Sequence, residues 1–155
     1  KYKIVVNGNH ENNAEWKGQT PKILSNAIFL RQSGVEVEGL RIFGTEFFWP
    51  AQDGKNPYYA QIPEDTDIII THGPVKGFCD GDSGCPAMLR RVQQVSPRLV
   101  VSGHIHHAHG VAEGGMFCCA GTTFVNAANA GGGGGPGGKA ARSRRIGWDA
   151  VAVEL

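Results

Sequence analysis

Three short apolar runs, each followed closely by a histidine, constrain the fold of this chain more than any other feature. They read KIVVNGNH from Lys3, DIIITHG from Asp67 and LVVSGHIH from Leu99. Strands made of consecutive aliphatic residues are typical of parallel sheets that are covered on both faces. Between the second and third runs, CPAMLRRVQQV from Cys85 carries a helical apolar stripe that ends before Pro97. Strands that alternate with such a helix predict an α/β domain.

Composition limits the class of protein. A chain of 155 residues that is 41% hydrophobic can bury one core, so a single domain is expected. Its net charge of +1 gives no reason to expect a nucleic-acid or membrane partner. The apolar runs are far shorter than the roughly 20 residues of a membrane helix, and no signal-like segment is present. The four cysteines have no Cys-x-x-Cys spacing, which favours reduced thiols and a cytoplasmic location, while the oligomeric state is not indicated.

The remaining segments predict shorter elements and one low-complexity insertion. Pro21 suits the first turn of a short helix over residues 21–26. The alternating segment VEVEG, followed by LRIFGT, predicts a half-exposed hairpin. Residues 130–145, which include GGGGGPGG, predict a flexible insertion within the domain. Further strands are predicted near residues 110–112, 116–119, 122–126 and 148–153.

The histidines at the ends of the three runs predict a metal site. In open α/β sheets, ligand sites lie beyond the carboxyl ends of the strands. If the three runs share a sheet, one edge receives His10, His72, His104 and His106, together with Asn9. Imidazole nitrogens suit transition metals, and an amide oxygen can complete such a site.

The segment GHIHHAHG holds four of the six histidines. If it is extended, His104 and His106 point to one face, because side chains alternate along a strand. His107 and His109 then point to the other face. We therefore expect the first pair to reach the metal and the second pair to be polar surface residues.

Three ordered motifs, GNHE, THG and GHIH, resemble the signature of the calcineurin-like metallophosphoesterases. The segments LRIFGT, ITHGP, GFCD and TTFVNAA resemble the branch of metallophosphoesterase-domain-containing proteins. The resemblance extends over most of the chain outside the Gly-rich segment. It implies a two-sheet αββα sandwich that lacks its first strands, with residues 1–155 forming the C-terminal two-thirds of one domain.

The resemblance also implies roles for individual residues. Asn9, His72 and His104 would bind one metal, and His106 would bind a second. His10 would stabilise the transition state or protonate the leaving oxygen of a phosphate ester. Two Mn, Fe or Zn ions would hold the attacking and departing oxygens and lower the pKa of a bound water. Glu11 is expected to be a carboxylate at the start of a helix or a hydrogen-bond partner of a metal ligand.

The implied substrate is a small phosphodiester or phosphomonoester, with cyclic nucleotides among the candidates. Trp49 is a candidate to stack on a base, although packing in a lid or at an edge of the core is the plainer interpretation. Asn126 resembles a family position near the metals, and a turn-capping role fits it equally well.

Two family motifs, Asp-x-His and Gly-Asp-x-x-Asp, are absent, and with them the carboxylate that bridges both metals. The favoured explanation is that the chain is an incomplete part of a working phosphoesterase. A second explanation is a divergent protein that binds one metal or a nucleotide without hydrolysis. A third is an interaction module whose histidines are inherited remnants.

Overall fold

The computed structural model describes residues 1–46, 56–129 and 149–155. Within those ranges the strands are β1 Ile4–Val5, β2 Ile28–Phe29, β3 Ser33–Val37, β4 Leu40–Gly44, β5 Ile68–Ile70, β6 Leu99–Ser102, β7 Gly110–Gly115 and β8 Cys118–Asn126. The α-helices of the same ranges are α1 Asn9–Asn13, α2 Thr20–Ile23 and α3 Pro86–Val95. Short 3-10 turns are formed by Lys17–Gln19, Tyr59–Gln61 and His106–Ala108.

Six of the strands form one mixed sheet in the order β3-β4-β5-β6-β8-β7. The central strands β4, β5, β6 and β8 are parallel, whereas β3 and β7 pair antiparallel at the edges. Strands β1 and β2 pair in parallel as a separate two-stranded sheet. The second and third histidine-bearing runs therefore lie side by side as β5 and β6. The condition that all three runs share a sheet is not met by the first run, which forms β1 in the smaller sheet.

Neighbouring residues of the central strands point to opposite faces and so build two apolar cores. One core joins the sheet to α3, and its members include Phe43, Ile69, Val100, Phe124, Met88 and Val92. The other core joins the sheet to β1 and β2, and its members include Ile42, Ile68, Leu99, Val125, Ile4, Val6 and Ile28. The predicted α/β fold is confirmed, with a small second sheet on the face opposite α3.

Two segments near the end of the chain differ from expectation. The strands predicted over 116–119 and 122–126 form one continuous strand, β8, and Met116 and Phe117 lie in the turn before it. Residues 149–155 contain no strand, so the strand predicted over 148–153 is wrong for its described part. Val151 and Val153 instead pack their side chains against the core beneath β1 and β2. Trp49, Trp148 and the predicted insertion over 130–145 lie outside the described residues.

None of the helices in the described ranges has the length and apolar character that crossing a bilayer requires.

The two sheets touch at Gly44, the last residue of β4. A Cβ added there would overlap Leu30 Cβ and would lie 2.8 Å from Val6 Cγ1. Both contacts are shorter than the approach of real side-chain carbons. The small sheet therefore packs directly against the backbone of the large one at this point.

We predict that Gly44→Ala lowers the free energy of unfolding by about 1–3 kcal/mol, because overpacking separates the sheets. Gly34→Ala is the matched control, since a Cβ there meets Ile42 O at 3.4 Å, an ordinary contact. Its effect should stay within about 0.5 kcal/mol. Urea unfolding measures both values, and equal losses would contradict the packing described here.

Asp80, which is only 7% exposed, organises the loop after β5. Its Oδ2 accepts the backbone N–H groups of Gly77 at 3.0 Å and Gly84 at 2.9 Å. Lys76 Nζ lies 3.7 Å from the same oxygen. Burial alone would raise the pKa of the Asp80 carboxyl, but the two N–H groups and Lys76 hold that pKa below its ordinary value. The ionised carboxylate therefore stabilises the folded loop.

We predict that Asp80→Asn lowers the free energy of unfolding at pH 7 by about 1–2 kcal/mol, because charge-assisted hydrogen bonds become neutral ones. A lowered folded pKa gives stability that is present above the unfolded value of about 4 and is lost as pH falls below it. The difference between wild type and variant should therefore shrink between pH 7 and pH 3. Denaturant unfolding at both pH values measures it, and a difference that does not change with pH would contradict this role.

Candidate metal site

The loops that follow β5 and β6 bring two histidines together. These strands are parallel, with Ile70 opposite Val101, so both carboxyl ends lie at one edge of the sheet. Past that edge the backbones stay paired, because the Gly103 N–H donates to His72 O at 3.0 Å. The His104 Nδ1 atom lies 3.1 Å from His72 Nε2.

A third polar side chain, that of Asn9, reaches the two histidines from the segment after β1, where Gly8 leads into α1. A Cβ at Gly8 would lie 2.7 Å from Cε1 of His72, so only glycine allows this approach. The Gly8 N–H donates to Glu11 Oε2 at 2.9 Å, which confirms the predicted helix-start role of Glu11. Asn9, the first residue of α1, places its Oδ1 2.9 Å from His72 Nε2.

A buried hydrogen bond also holds the start of α1 in place, and it involves residues that the sequence analysis did not identify. Asn7 and Thr20 are both buried, and Thr20 Oγ1 donates to Asn7 Oδ1 at 3.1 Å. This bond ties the end of β1 to α2. The polar run after the apolar residues of β1 could have indicated Asn7, but nothing in the sequence indicated Thr20 as the partner of Asn7.

In the set formed by the side chains of Asn9, His72 and His104, called the triad below, both distances from His72 Nε2 match the spacing of ligands to one cation. Two ligand atoms that each lie about 2.1 Å from a metal, at right angles, are about 3.0 Å apart. Distances of 2.9 and 3.1 Å match that value. His72 Nε2 carries either one N–H or one lone pair, so it can form one hydrogen bond. Its two neighbours, Asn9 Oδ1 and His104 Nδ1, therefore compete for that one bond. A cation would be ligated by all three atoms at once.

The triad is a limited ligand set. Within residues 1–46, 56–129 and 149–155, no group of three or more His, Cys, Asp or Glu side chains is arranged to hold a metal. The triad consists of two imidazoles and an amide and contains no carboxylate. It fits one cation with open positions better than a fully enclosed structural site.

Burial prepares both imidazoles for ligation. It lowers the pKa of His72 to about 4, helped by the nearby His104. Burial likewise lowers the pKa of His104, and the charges of His106 and His10 lower it further. Both rings are therefore neutral at pH 7, which is the form that binds metal.

His104 has a φ of +69°, in the left-handed region that non-glycine residues rarely adopt. His106–Ala108 then forms a 3-10 turn. The segment after β6 is therefore not extended, and the predicted alternation of its histidines is wrong. Strained backbone of this kind is found at functional sites, where the surrounding structure enforces it.

The other histidines of this segment are distributed differently from expectation. His106 and His107 are both exposed, and His109 is half-buried. The His107 ring packs against the backbone of Gly81, where an added Cβ would overlap its Nε2 atom. His107 agrees with the expectation of a surface residue, whereas His109 departs from it.

His10 and His106 lie close enough to the triad for their charges to lower the pKa of both triad histidines. Both side chains are exposed. The structure thus brings all five residues predicted to bind metal or act in catalysis to one edge of the fold, with Asn9 and His104 in contact with His72 and the other two at the rim. Ligation of a second metal by His106 and proton transfer by His10 stay predictions.

Asn126 lies at the carboxyl end of β8 and is fully buried. Its Nδ2 donates to Cys79 O at 2.9 Å and to Ile105 O at 3.0 Å. Its Oδ1 accepts the N–H of Ala128 at 3.0 Å. The side chain caps a turn, as one interpretation predicted, and also joins the two loops beside the triad. Its contact with substrate stays a prediction.

The relatives of this chain among known proteins identify its family. The family described as calcineurin-like phosphoesterase matches residues 1–108. The chain is 33% identical to UPF0046 protein K07C11.7 of Caenorhabditis elegans, over 83% of this chain and 52% of that protein. It is 34% identical to Metallophosphoesterase domain-containing protein 1 of Homo sapiens and of Mus musculus, over 82% of this chain and 50% of each relative.

The chain spans about half the length of these curated relatives. The family match covers more than half of the chain and includes the whole triad together with His10 and His106. The chain therefore belongs to the calcineurin-like phosphoesterase family.

Proposed function

We propose that this chain is a metal-dependent phosphoesterase in which the triad binds a divalent cation. The observation that carries the proposal is the convergence of Asn9 Oδ1 and His104 Nδ1 on His72 Nε2, at 2.9 and 3.1 Å. Mn, Fe and Zn all accept such mixed nitrogen and oxygen ligands. Family membership supports the same chemistry.

A second cation, with His106 as a ligand, is part of the proposal. Its support is the exposed position of His106 two residues after His104, near enough to influence the pKa of both triad histidines. Hard divalent cations prefer carboxylate ligands, and the triad has none. A second cation therefore needs anionic ligands in addition to His106.

When bound, the cation would supply a Lewis acid and a water of lowered pKa. The chain's own residues do the rest. Burial keeps His72 and His104 neutral, and the close approach at Gly8 holds the Asn9 amide in place. His10, in the first turn of α1 and exposed, is the residue proposed to give a proton to the leaving oxygen, since histidine is the commonest general acid in enzymes.

The proposed substrate is a small phosphodiester, with cyclic nucleotides as one class to test. Asn126 would contribute through the two loops that its side chain joins, since no part of it is exposed. Stacking by Trp49 is proposed from the sequence alone.

A second candidate function is cation binding without hydrolysis. The observation that favours it is the lack of a carboxylate in the triad, because paired cations that clamp a phosphate are usually held by anionic ligands. The two candidates differ in turnover, and both require bound metal.

We predict that Asn9→Ala and His104→Ala each weaken Mn²⁺ binding at least about 100-fold. Removing only the hydrogen-bond partner of a metal ligand already lowers metal affinity about 10–100-fold, and these variants remove a ligand itself. Alanine suits the helical position of Asn9, so this variant should keep its fold. His107→Ala, an exposed histidine three residues after His104, is the matched control and should bind as wild type does.

Electron paramagnetic resonance titration with Mn²⁺ measures these affinities. Equal losses in His107→Ala and His104→Ala would contradict the triad assignment. No Mn²⁺ binding by the wild-type chain would overturn both candidate functions, and binding without turnover of a phosphodiester would select the second.

We predict that His10→Ala lowers phosphodiester turnover about 10²–10⁴-fold while metal content is unchanged. If His10 protonates the leaving oxygen, the loss should be larger for a phenyl ester, whose leaving group needs a proton, than for a 4-nitrophenyl ester. Steady-state rates on the two esters, with metal content measured on the same samples, test this. Equal losses on both esters would contradict the acid role, and loss of metal would make His10 a ligand instead.

A further inference from the structure

Cys118 and Cys119 begin β8, at the end of that strand opposite Asn126 and the triad. Both residues are half-buried, and their Sγ atoms are 3.3 Å apart. Adjacent side chains of a regular strand point to opposite faces of the sheet. The closeness of these two sulfurs therefore needs a local cause.

The cause is a departure from strand geometry at Cys119, whose φ is +56°. The pairing of β7 with β8 shifts register at the same place, between Glu113 and Gly115. A bulge of this kind re-aims a side chain. It turns the Cys119 thiol to the same side as the Cys118 thiol.

The neighbours of the pair hold it in this position. Gln93, on α3, donates from Nε2 to Cys118 Sγ at 3.4 Å. Cys119 packs against the core that joins the sheet to α3, as does Leu89. One side of the pair is therefore fixed by packing, while part of both residues stays accessible.

The sulfur separation distinguishes between possible reactions of the two thiols. A disulfide bond is about 2.05 Å long, so oxidation would require the sulfurs to move more than about 1 Å closer. A thiophilic centre with two bonds of about 2.3 Å at roughly a right angle needs sulfurs about 3.3 Å apart. The observed 3.3 Å fits chelation without movement.

The number of ligands selects the class of centre. A structural zinc site requires four ligands. Within the described ranges, no group of three or more His, Cys, Asp or Glu side chains is arranged to hold a metal. The ligand that fits this pair is therefore a trivalent centre that already carries one substituent and needs only two protein thiols.

We propose that Cys118 and Cys119 form a vicinal dithiol site that chelates a monosubstituted trivalent arsenical. With an organoarsenic oxide, two S–As bonds form, the arsenic–oxygen bond breaks, and the oxygen leaves as water with both thiol protons. Neither arsenic nor sulfur changes oxidation state. Burial and the neighbouring Cys118 raise the pKa of the Cys119 thiol to about 12, so that thiol enters the reaction protonated.

The test uses phenylarsine oxide as the probe. We expect one phenylarsenic group per chain by intact mass, removed by a small dithiol and kept in a matching concentration of a monothiol. Cys118→Ser and Cys119→Ser should each weaken binding at least about 100-fold, because the second bond of a chelate forms at high effective concentration. Cys79→Ser is the matched control, a half-buried cysteine elsewhere, and should bind as wild type does.

A measurement on the wild-type chain covers the case in which a variant does not fold. After arsenical treatment, maleimide labelling and peptide mapping should find Cys118 and Cys119 protected and Cys79 modified. Protection of Cys79 instead, or equal affinity in Cys118→Ser and wild type, would overturn the proposal. Because the pair lies at the opposite end of β8 from the triad, this result is separate from that of the metal-binding tests.

Discussion

The close packing of β1 and the start of α1 against the large sheet is the constraint on which the candidate site depends. Gly44 lets Val6 and Leu30 reach the backbone of β4, and Gly8 lets the chain cross the face of the His72 ring. Both contacts require a residue without a side chain. They bring Asn9 to histidines that are 63 and 95 positions further along the chain. Without this contact the triad would be reduced to its two imidazoles.

The site contains an unfavourable backbone conformation and closely packed polar groups, which a sheet edge with only a structural role would not need. His104 adopts a backbone conformation that is unfavourable for a non-glycine residue. The His104 imidazole and the Asn9 amide oxygen both lie against His72 Nε2 in a partly buried position, where His72 is strongly disfavoured as a cation. The charge and valence of a bound metal would satisfy these groups together. Such a conflict between local preference and the rest of the fold is a feature of functional sites.

Sequence patterns predicted the centre of this fold better than its ends. Aliphatic runs and a helical stripe are strong signals, and they located β5, α3 and β6 together with the histidines that follow them. Periodicity does not say which sheet a strand joins, so the separate pairing of β1 was missed. Alternation also failed after β6, because a positive φ at His104 and a 3-10 turn replaced the extended backbone it assumed. The paired thiols depend on a bulge, for which sequence gives no comparable signal.

The proposed function depends on Asn9, His72 and His104 binding one divalent cation together. The most direct measurement is a crystal structure of the chain grown with Mn²⁺, with the metal located by its anomalous scattering. We expect a peak about 2.2 Å from Asn9 Oδ1, His72 Nε2 and His104 Nδ1. A peak beside His107 or His109, or no peak at the triad in crystals soaked at saturating Mn²⁺, would contradict it.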